Sequence, residues 1–437
     1  MNQCDDIAWA LCHFADEDVV MMDTYHDYLD GKHPLPFELA SDSYGKAFRT
    51  MLAATRENLC PAVIGAPAER LAIIEWSGSG EAAYLAMGGN RLANRVHREA
   101  LVAGRAFVLA WPPASGTKAH MHKGDSMCVR VSEEDEDVID LAAKLWLSGK
   151  KWRLNLYYTD RCERLVADVL TAGGMPKPAK FAEYADASPA VIGYRFVVNG
   201  KPIVPVIPFV NGGEPGEEGR SELRDVLPIQ NALNKSFCDV MIGSEFSALP
   251  KRVFTGVSGD RDPVTGESEI EKASKKASGG GLREMYLANP DAKAINLQGA
   301  DVAQLVEVTD ALELKVAKVT GTPLHYFLLG SGQFPSGEAL RTAETRLIAR
   351  VVDMQQDFGP AWSQLMALMG TPSDPKWADA ASLTEAERMT ALKVKKELGV
   401  PQETIWRELG YDDTEIARMK SEQPTLDAFS AAMSAGV

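Results

Sequence analysis

The sequence predicts an α+β fold, on three observations. Between about 105 and 210, short runs alternate apolar and polar residues and are broken by Gly, Pro and Asn, as strands and turns are. From 222 to 249 and again from 301 to 370, apolar residues recur at helical spacing over long stretches. The sheet-like and helical patterns occupy separate parts of the chain rather than alternating unit by unit.

Taken in order, residues 1 to 30 mix acidic and apolar positions as an amphipathic opening helix would, and Pro34 and Pro36 then favour an extended segment. Residues 44 to 75 read as helical around Phe48, Leu52 and Leu59, broken at Pro61 and resumed through Ala66 to Leu71. A further helix is expected from Glu81 to Gly104, running into a strand at Ala106 to Trp111 that Pro112-Pro113 ends. The acidic run Glu133 to Asp137 is expected to head a helix over Leu141 to Leu147. Trp152 to Tyr158 and Tyr194 to Val198 alternate like strands, and Asn199-Gly200 suits a two-residue hairpin turn. The prolines in Ile203 to Phe209 suit an edge strand.

Asn211 to Gly219 reads as a loop and a module boundary. Leu223, Val226, Leu227, Leu233, Phe237, Val240, Met241 and Phe246 then support a long helix to Ala248. Residues 251 to 300 form an insert with a strand near Val253, a polar hairpin tip at Asp260 to Gly266 and mixed charges around Lys272, Lys275 and Lys276. In the next stretch Val302, Leu305, Leu312, Val316 and Val319 mark a helix that Gly321, Thr322 and Pro323 stop near Thr320. Gly330 to Gly337 is too rich in turn formers to be helical. Leu340, Leu347, Val351, Met354, Phe358, Leu365 and Met369 then place a long helix with Ser336 as N-cap and a kink or restart at Gly359-Pro360. Helical pieces follow at 384 to 398 and 401 to 421.

The 46 basic and 61 acidic side chains leave a formal charge of −15, opposite to what tight phosphate binding requires. Six cysteines without paired spacing read as buried free thiols in a reducing compartment. No apolar run approaches the ~18 residues of a membrane span, and the N-terminal stretch lacks the pattern of a signal peptide. No P-loop and no nucleophile elbow occurs. His120 and His122 share a strand face but lack a third ligand at metal spacing, and His97 reads as a packed or capped histidine. No cofactor, metal or catalytic residue is expected.

Several segments together resemble the portal proteins of tailed bacteriophages, in the branch common among phages of actinobacteria. They are Tyr28 to Phe37, Ala66 to Leu71, His97 to Val108, Glu222 to Pro228 with Asn231 to Lys235, Gly321-Thr322-Pro323, and Ser336 to Arg341. The resemblance implies a wing over residues 1–220, a first stem helix over 221–250 and a small α/β clip over 251–300. It implies a second stem helix over 301–320, a tunnel loop and bridging wing helix over 321–370, and a helical crown over 371–437. It further implies a dodecameric ring at one capsid vertex of the virion, assembled in the host cytoplasm, through which double-stranded DNA is packaged and ejected. The implied partners are other copies of the chain, the terminase large subunit, a head-tail adaptor, and the major capsid and scaffolding proteins, with no membrane. Gly330, Ser331, Gly332, Gln333, Phe334, Pro335 and Ser336 would line the channel, and a loop without Lys or Arg would let DNA slide. Arg261, Lys272, Lys275 and Lys276 would be clip residues facing partners. Arg341, Arg346 and Arg350 would either present positive charge or pair between subunits. Two other readings remain open: a cytoplasmic enzyme with 321–337 as a lid, and a minor capsid component that binds protein only.

Overall fold

The computed structural model describes residues 3–33, 57–111, 117–135, 138–169, 174–184, 190–213, 217, 219–248, 252–255, 261, 263–268, 284–287, 294–296, 302–327, 337–381, 385–409, 411 and 414–421. The chain divides into two compact units, Met1–Ala380 and Ala381–Val437.

The first unit opens with two helices rather than one, α1 (Gln3–Phe14) and α2 (Glu17–Leu29). Asp16 divides them, because its carboxylate accepts from the Asp18 amide at 2.9 Å and caps α2. Helix α3 (Cys60–Ala68) begins where a break was expected. Pro61 sits in its first turn, where a missing N–H leaves nothing unsatisfied. After strand β1 (Ile73–Trp76) come α4 (Gly80–Met87) and α5 (Gly89–Ala103) in place of a single helix. Gly88 parts them with φ +114°, a conformation that side chains disfavour.

Eleven strands follow among the described residues. They are β2 (Arg105–Trp111), β3 (Lys118–Lys123), β4 (Met127–Val131), β5 (Ile139–Ser148), β6 (Lys151–Tyr157), β7 (Arg161–Asp168), β8 (Ala182–Glu183), β9 (Val191–Gly193), β10 (Phe196–Val198), β11 (Lys201–Ile203) and β12 (Val206–Val210). Three form a sheet in the order β12-β2-β3, with proline-bearing β12 at its edge as expected. A second sheet runs β4-β5-β6-β7-β8, with β9 also on β7. The hairpin β10–β11 turns on Asn199 and Gly200, both at positive φ. The helix expected over Leu141 to Leu147 is β5 instead. Leu141, Ala143 and Leu145 point one way at strand period, and Glu133 to Asp135 belong to the turn joining β4 to β5.

Beyond them lie α6 (Leu227–Ala248), β13 (Arg252–Thr255), β14 (Glu284–Leu287), β15 (Ala294–Asn296), α7 (Val302–Thr320) and α8 (Gly337–Leu368). Strand β13 pairs with β14 in parallel and with β15 antiparallel. Helix α8 runs through Gly359-Pro360 as one helix and does not restart there; burial of Phe358, Trp362, Leu365 and Met366 around the proline outweighs its lost hydrogen bond. Its chain end returns as β16 (Pro375–Trp377) to pair with β1.

The wing-like part is layered. Ile7, Leu11 and Phe14 of α1 cover one face of the larger sheet against Leu141, Leu154 and Leu156. The other face meets the smaller sheet through Phe107, Leu109, Val206, Met127 and Tyr157. The far side of the smaller sheet, with Ala106, Val108 and Phe209, packs on α5 and α8. Strand β2 is therefore buried on both faces, which is why its sequence is an unbroken apolar run. Four of the six cysteines, Cys60, Cys128, Cys162 and Cys238, are buried; Cys4 and Cys12, on α1, are exposed. The second unit contains α9 (Glu385–Glu397), α10 (Gln402–Leu409) and helical residues 414–421, with Leu392, Ile405 and Ile416 buried.

His97, fully buried on α5, donates from Nδ1 to the Leu71 carbonyl at 3.1 Å and accepts at Nε2 from Trp362 Nε1 at 2.9 Å. Its ring stacks on Phe358 with centroids 5.3 Å apart. Both ring nitrogens are used by the neutral form, and burial pushes the pKa down to about 3. A pKa lowered on folding gives stability that is complete above the ordinary value and declines as pH falls below it. We therefore expect His97→Gln to be destabilising at pH 7, with the gap from the native protein shrinking by about 2 kcal/mol at pH 5. Urea unfolding at the two pH values measures both, and a gap independent of pH would refute the assignment.

Candidate functional site

The loop expected to line a channel, Gly330, Ser331, Gly332, Gln333, Phe334, Pro335 and Ser336, lies outside the described residues, as do Lys272, Lys275 and Lys276. Arg261 is described: it forms an antiparallel bridge with Ser268, and residues 263–265 between them are in a turn, while Asp260 and Asp262 lie outside the described residues. What the structure does place are the two helices that lead to and from these segments, and the contacts that hold both ends of the loop.

Helices α6 and α7 run antiparallel, side by side. Gln230 of α6 lies beside Glu57, to which Glu313 of α7 is also close, whereas Ser236 sits 3.4 Å from Thr309. Burial first, then the charges of Glu57 and Asp310, raise the Glu313 pKa above the usual carboxylate range. The base of α6 is fastened by amide side chains. Gln230 accepts from the Leu59 amide at 3.0 Å and donates to the Glu57 carbonyl at 2.9 Å. Asn231 accepts from Tyr28 Oη at 2.7 Å, and Asn234 donates to His33 Nδ1 at 2.8 Å while His33 Nε2 donates to the Tyr28 carbonyl. Gln230, Asn234 and His33 are buried and Asn231 lies at the surface; their directional bonds orient α6 more tightly than apolar packing alone, although Asn234 Oδ1 is left without a partner.

The far end of α7 is capped from α8. The last carbonyls of a helix have no partner within it and carry its negative end. Arg346 donates to the Lys318 carbonyl at 3.2 Å, and Arg350 donates to the Thr320 carbonyl and to Glu222. Of the three arginines expected to show charge outward or pair between subunits, Arg346 and Arg350 thus act within the chain, as helix caps. Gly321 follows at φ +66°, with Arg346 where a side chain would project. The chain then turns through Leu324–Tyr326 into the loop.

Arg70 anchors both ends of that loop. Its Nη1 donates to Tyr326 Oη at 2.6 Å and its Nη2 pairs with Glu344 of α8 at 3.2 Å. Its Nε donates to the Ala380 carbonyl, and the guanidinium lies over the Tyr326 ring at 5.7 Å. His325 Nε2 approaches the same Glu344 at 3.4 Å. One planar fork thereby fixes where the segment leaves the fold and where it re-enters. Sequence reasoning missed this anchor because nothing local links Arg70 to Tyr326 and Glu344; the resemblance over Ala66 to Leu71 marked the position without supplying a role.

Comparison with known proteins bears on this framework of two long helices, capped loop and returning helix. The family model described as phage portal protein, SPP1 Gp6-like, matches residues 89–426. The chain belongs to that family. Among curated relatives, the portal protein of Mycobacterium phage D29 is 26% identical over 259 residues, 55% of this chain and 51% of that one. The portal protein of Mycobacterium phage L5 is 25% identical over 264 residues, with the same shares of each chain. The chain spans about half the length of these relatives. Among solved structures, a chain in the neck of a native gene transfer agent particle, computed with C12 symmetry, is similar with a TM-score of 0.47 and 14% identity, over 86% of this chain and 94% of that one. A chain in the virion of the native particle gives a TM-score of 0.44 and 13% identity, over 80% and 85%.

Removing one partner of a half-buried, multiply bonded arginine leaves the other groups desolvated and unpaired. Arg70→Ala should lower stability by about 3 kcal/mol, and Arg70→Lys, which keeps the charge but not the fork, by more than half of that. Chemical denaturation of the two variants measures this. Equal stability of Arg70→Lys and the native portal chain would show that charge alone holds the loop ends.

Proposed function

We propose that this portal-family chain works as one subunit of a closed ring, dodecameric when assembled, at a single capsid vertex through which double-stranded DNA passes. The observation that carries the reading is the surface of α7. Thr309, Glu313, Val316, Ala317 and Thr320 are buried, yet Val306, Val308, Leu314 and Val319 are exposed. At about 100° per residue, Leu314 falls to one side of the buried face and Val308 and Val319 to the other, while Val306 continues the line of the buried face. Two apolar flanks on opposite sides of one helix suit a head-to-tail contact, in which each subunit offers two different faces and the rotation closes a ring.

In this reading α6 and α7 are the stem, the segment between them is the clip, and the wing is the layered part built on α1 to α5 and the two sheets. The loop between Phe327 and Gly337 lines the tunnel, and α8 bridges it back to the wing. A loop of Gly, Ser, Gln, Phe and Pro makes no strong phosphate contact, so DNA moves past it rather than being held. The clip, with Arg261, Lys272, Lys275 and Lys276, meets the packaging terminase and later the head-tail adaptor. Residues 381–437 form the crown, since the stretch before them pairs with β1 through β16, and capsid and scaffolding proteins meet the wing. The role is structural and not enzymatic, and assembly takes place in the host cytoplasm.

Particle images and native mass of the purified chain should reveal large hollow rings; a monomer or dimer under every condition overturns the proposal. The paired change Val308→Glu and Val319→Glu should abolish rings while leaving the circular dichroism and unfolding midpoint of the subunit within error. Deleting Gly332 to Pro335 should leave rings intact and impair DNA retention in filled heads, and unchanged retention would remove the loop from the channel.

A further inference from the structure

The gap between the two sheets of the wing does not close where the smaller sheet ends. Strand β3 is the edge of the order β12-β2-β3, and beyond it the face of the larger sheet lies open as a cavity of about 730 Å³. Ala119 and Met121 lie on one face of β3, His120 and His122 on the other, and all four line this cavity. Side chains of both faces can border one space only if that space runs past the edge of the strand. Among the described residues no strand pairs with this edge, so its main-chain donors and acceptors face the cavity side.

The floor is basic. Lys144 of β5, Asn155 of β6 and Arg164 of β7 are cross-strand neighbours in one row, and Trp146 and Arg153 form the next. Arg91 and Arg95 reach in from α5, whose first turn contains no acidic residue and no side-chain cap. These five cations and two histidines line the space without a carboxylate, and none of the five takes part in an ion pair among the described residues. Their polar contacts are to neutral groups: Arg153 Nη1 to Tyr184 Oη at 2.7 Å, Arg95 to the Met121 sulfur at 3.9 Å, and Lys144 over the Trp146 ring at 4.8 Å. His122 Nε2 and Arg153 Nε are buried without a hydrogen-bond partner. Burial, then Lys144 and His120, lower the His122 pKa to about 4. Like charges on neighbouring strands repel, and unpaired buried donors are costly, so an anionic group placed here would relieve both costs. In a chain of formal charge −15 such a concentration is not a sample of the general surface.

We infer that this cleft binds an acidic, extended polypeptide segment of a partner protein, added as a strand to the free edge of β3 with its carboxylates on Arg91, Arg95, Lys144 and Arg153. Peptide is favoured over nucleic acid by the strand edge, which pairs with a main chain and has nothing to offer a phosphate backbone in register. Apolar residues interleaved with the cations, among them Leu109, Trp111 and Trp146, match a segment that alternates acidic with apolar side chains. The inference concerns the subunit alone and does not depend on ring closure.

Calorimetric titration of the full chain with a short peptide alternating Glu and Val tests it. Saturable binding that weakens with salt is expected, and fluorescence of Trp111 and Trp146 should shift on binding. The double variant Arg95→Ala with Lys144→Met should weaken binding by at least about tenfold, with its unfolding midpoint checked first. Should that variant fold poorly, Arg91→Ala, on the exposed face of α5, supplies the same test with a smaller loss. Methylating alternate peptide nitrogens keeps every carboxylate and removes strand pairing, so it should weaken binding comparably. The proposal fails if the native chain shows no saturable binding, if the methylated peptide binds as well as its parent, or if an oligothymidylate of equal length binds more tightly than the Glu-Val peptide.

Discussion

The neutral imidazole of His97 is the contact on which the rest of the first unit depends. It lies where α5, the turn leading to β1, and α8 converge, with Leu71, Phe358 and Trp362 around it and Trp377 of β16 at 5.4 Å. A hydrophobic residue there would pack, but it would orphan the Trp362 N–H and the Leu71 carbonyl in the interior. A charged one would have to be desolvated entirely. Because each ring nitrogen has one partner of fixed role, α8 has one register against α5. That register carries Glu344, Arg346 and Arg350 to the end of α7, and so sets the geometry of both loop ends.

The arginines show how an acidic chain manages its positive charge. Arg70, Arg346 and Arg350 are folded back onto carbonyls and carboxylates of their own chain. Arg130 likewise pairs with Asp6 at 2.9 Å and Asp140 at 3.1 Å, tying α1 to β4 and β5. Cations used this way stiffen the framework and are not offered to a passing polyanion, as the proposed function requires. The cleft beside β3 is the exception, and its position on the layered part separates it from the α6–α7 pair. Charge is thus sorted by place within the fold, a property that a net value of −15 conceals.

Much of the framework was legible because it rests on local periodicity. The end of α7 at Thr320, the strand β2, the hairpin at Asn199-Gly200 and the long α6 all follow from patterns read within a dozen residues. The errors have a common cause as well. Leu141 to Leu147 is composed of good helix formers, yet β5 sits between β4 and β6 with apolar layers on both faces, and sheet pairing overrode propensity. Pro61 reads as a break and Pro360 as a kink or restart, but one occupies a first turn and the other lies in one continuous helix clamped by a dense aromatic core. Arg346 and Arg350 were visible as a charged series on a helix; whether such a series faces outward or caps a neighbour is decided by what packs beside it.

The sequence by itself determined the α+β class, the run of helices and strands, the absence of phosphate-gripping composition and the family, since these reside in local spacing, composition and motif order. Tertiary structure alone decided the Arg70 anchor, the caps on α7, the His97 tautomer and the basic cleft. Each of those requires groups from distant parts of the chain to meet at hydrogen-bond distance, and no pattern along one strand or helix records which of its polar side chains will find a partner and which will be left facing an open edge.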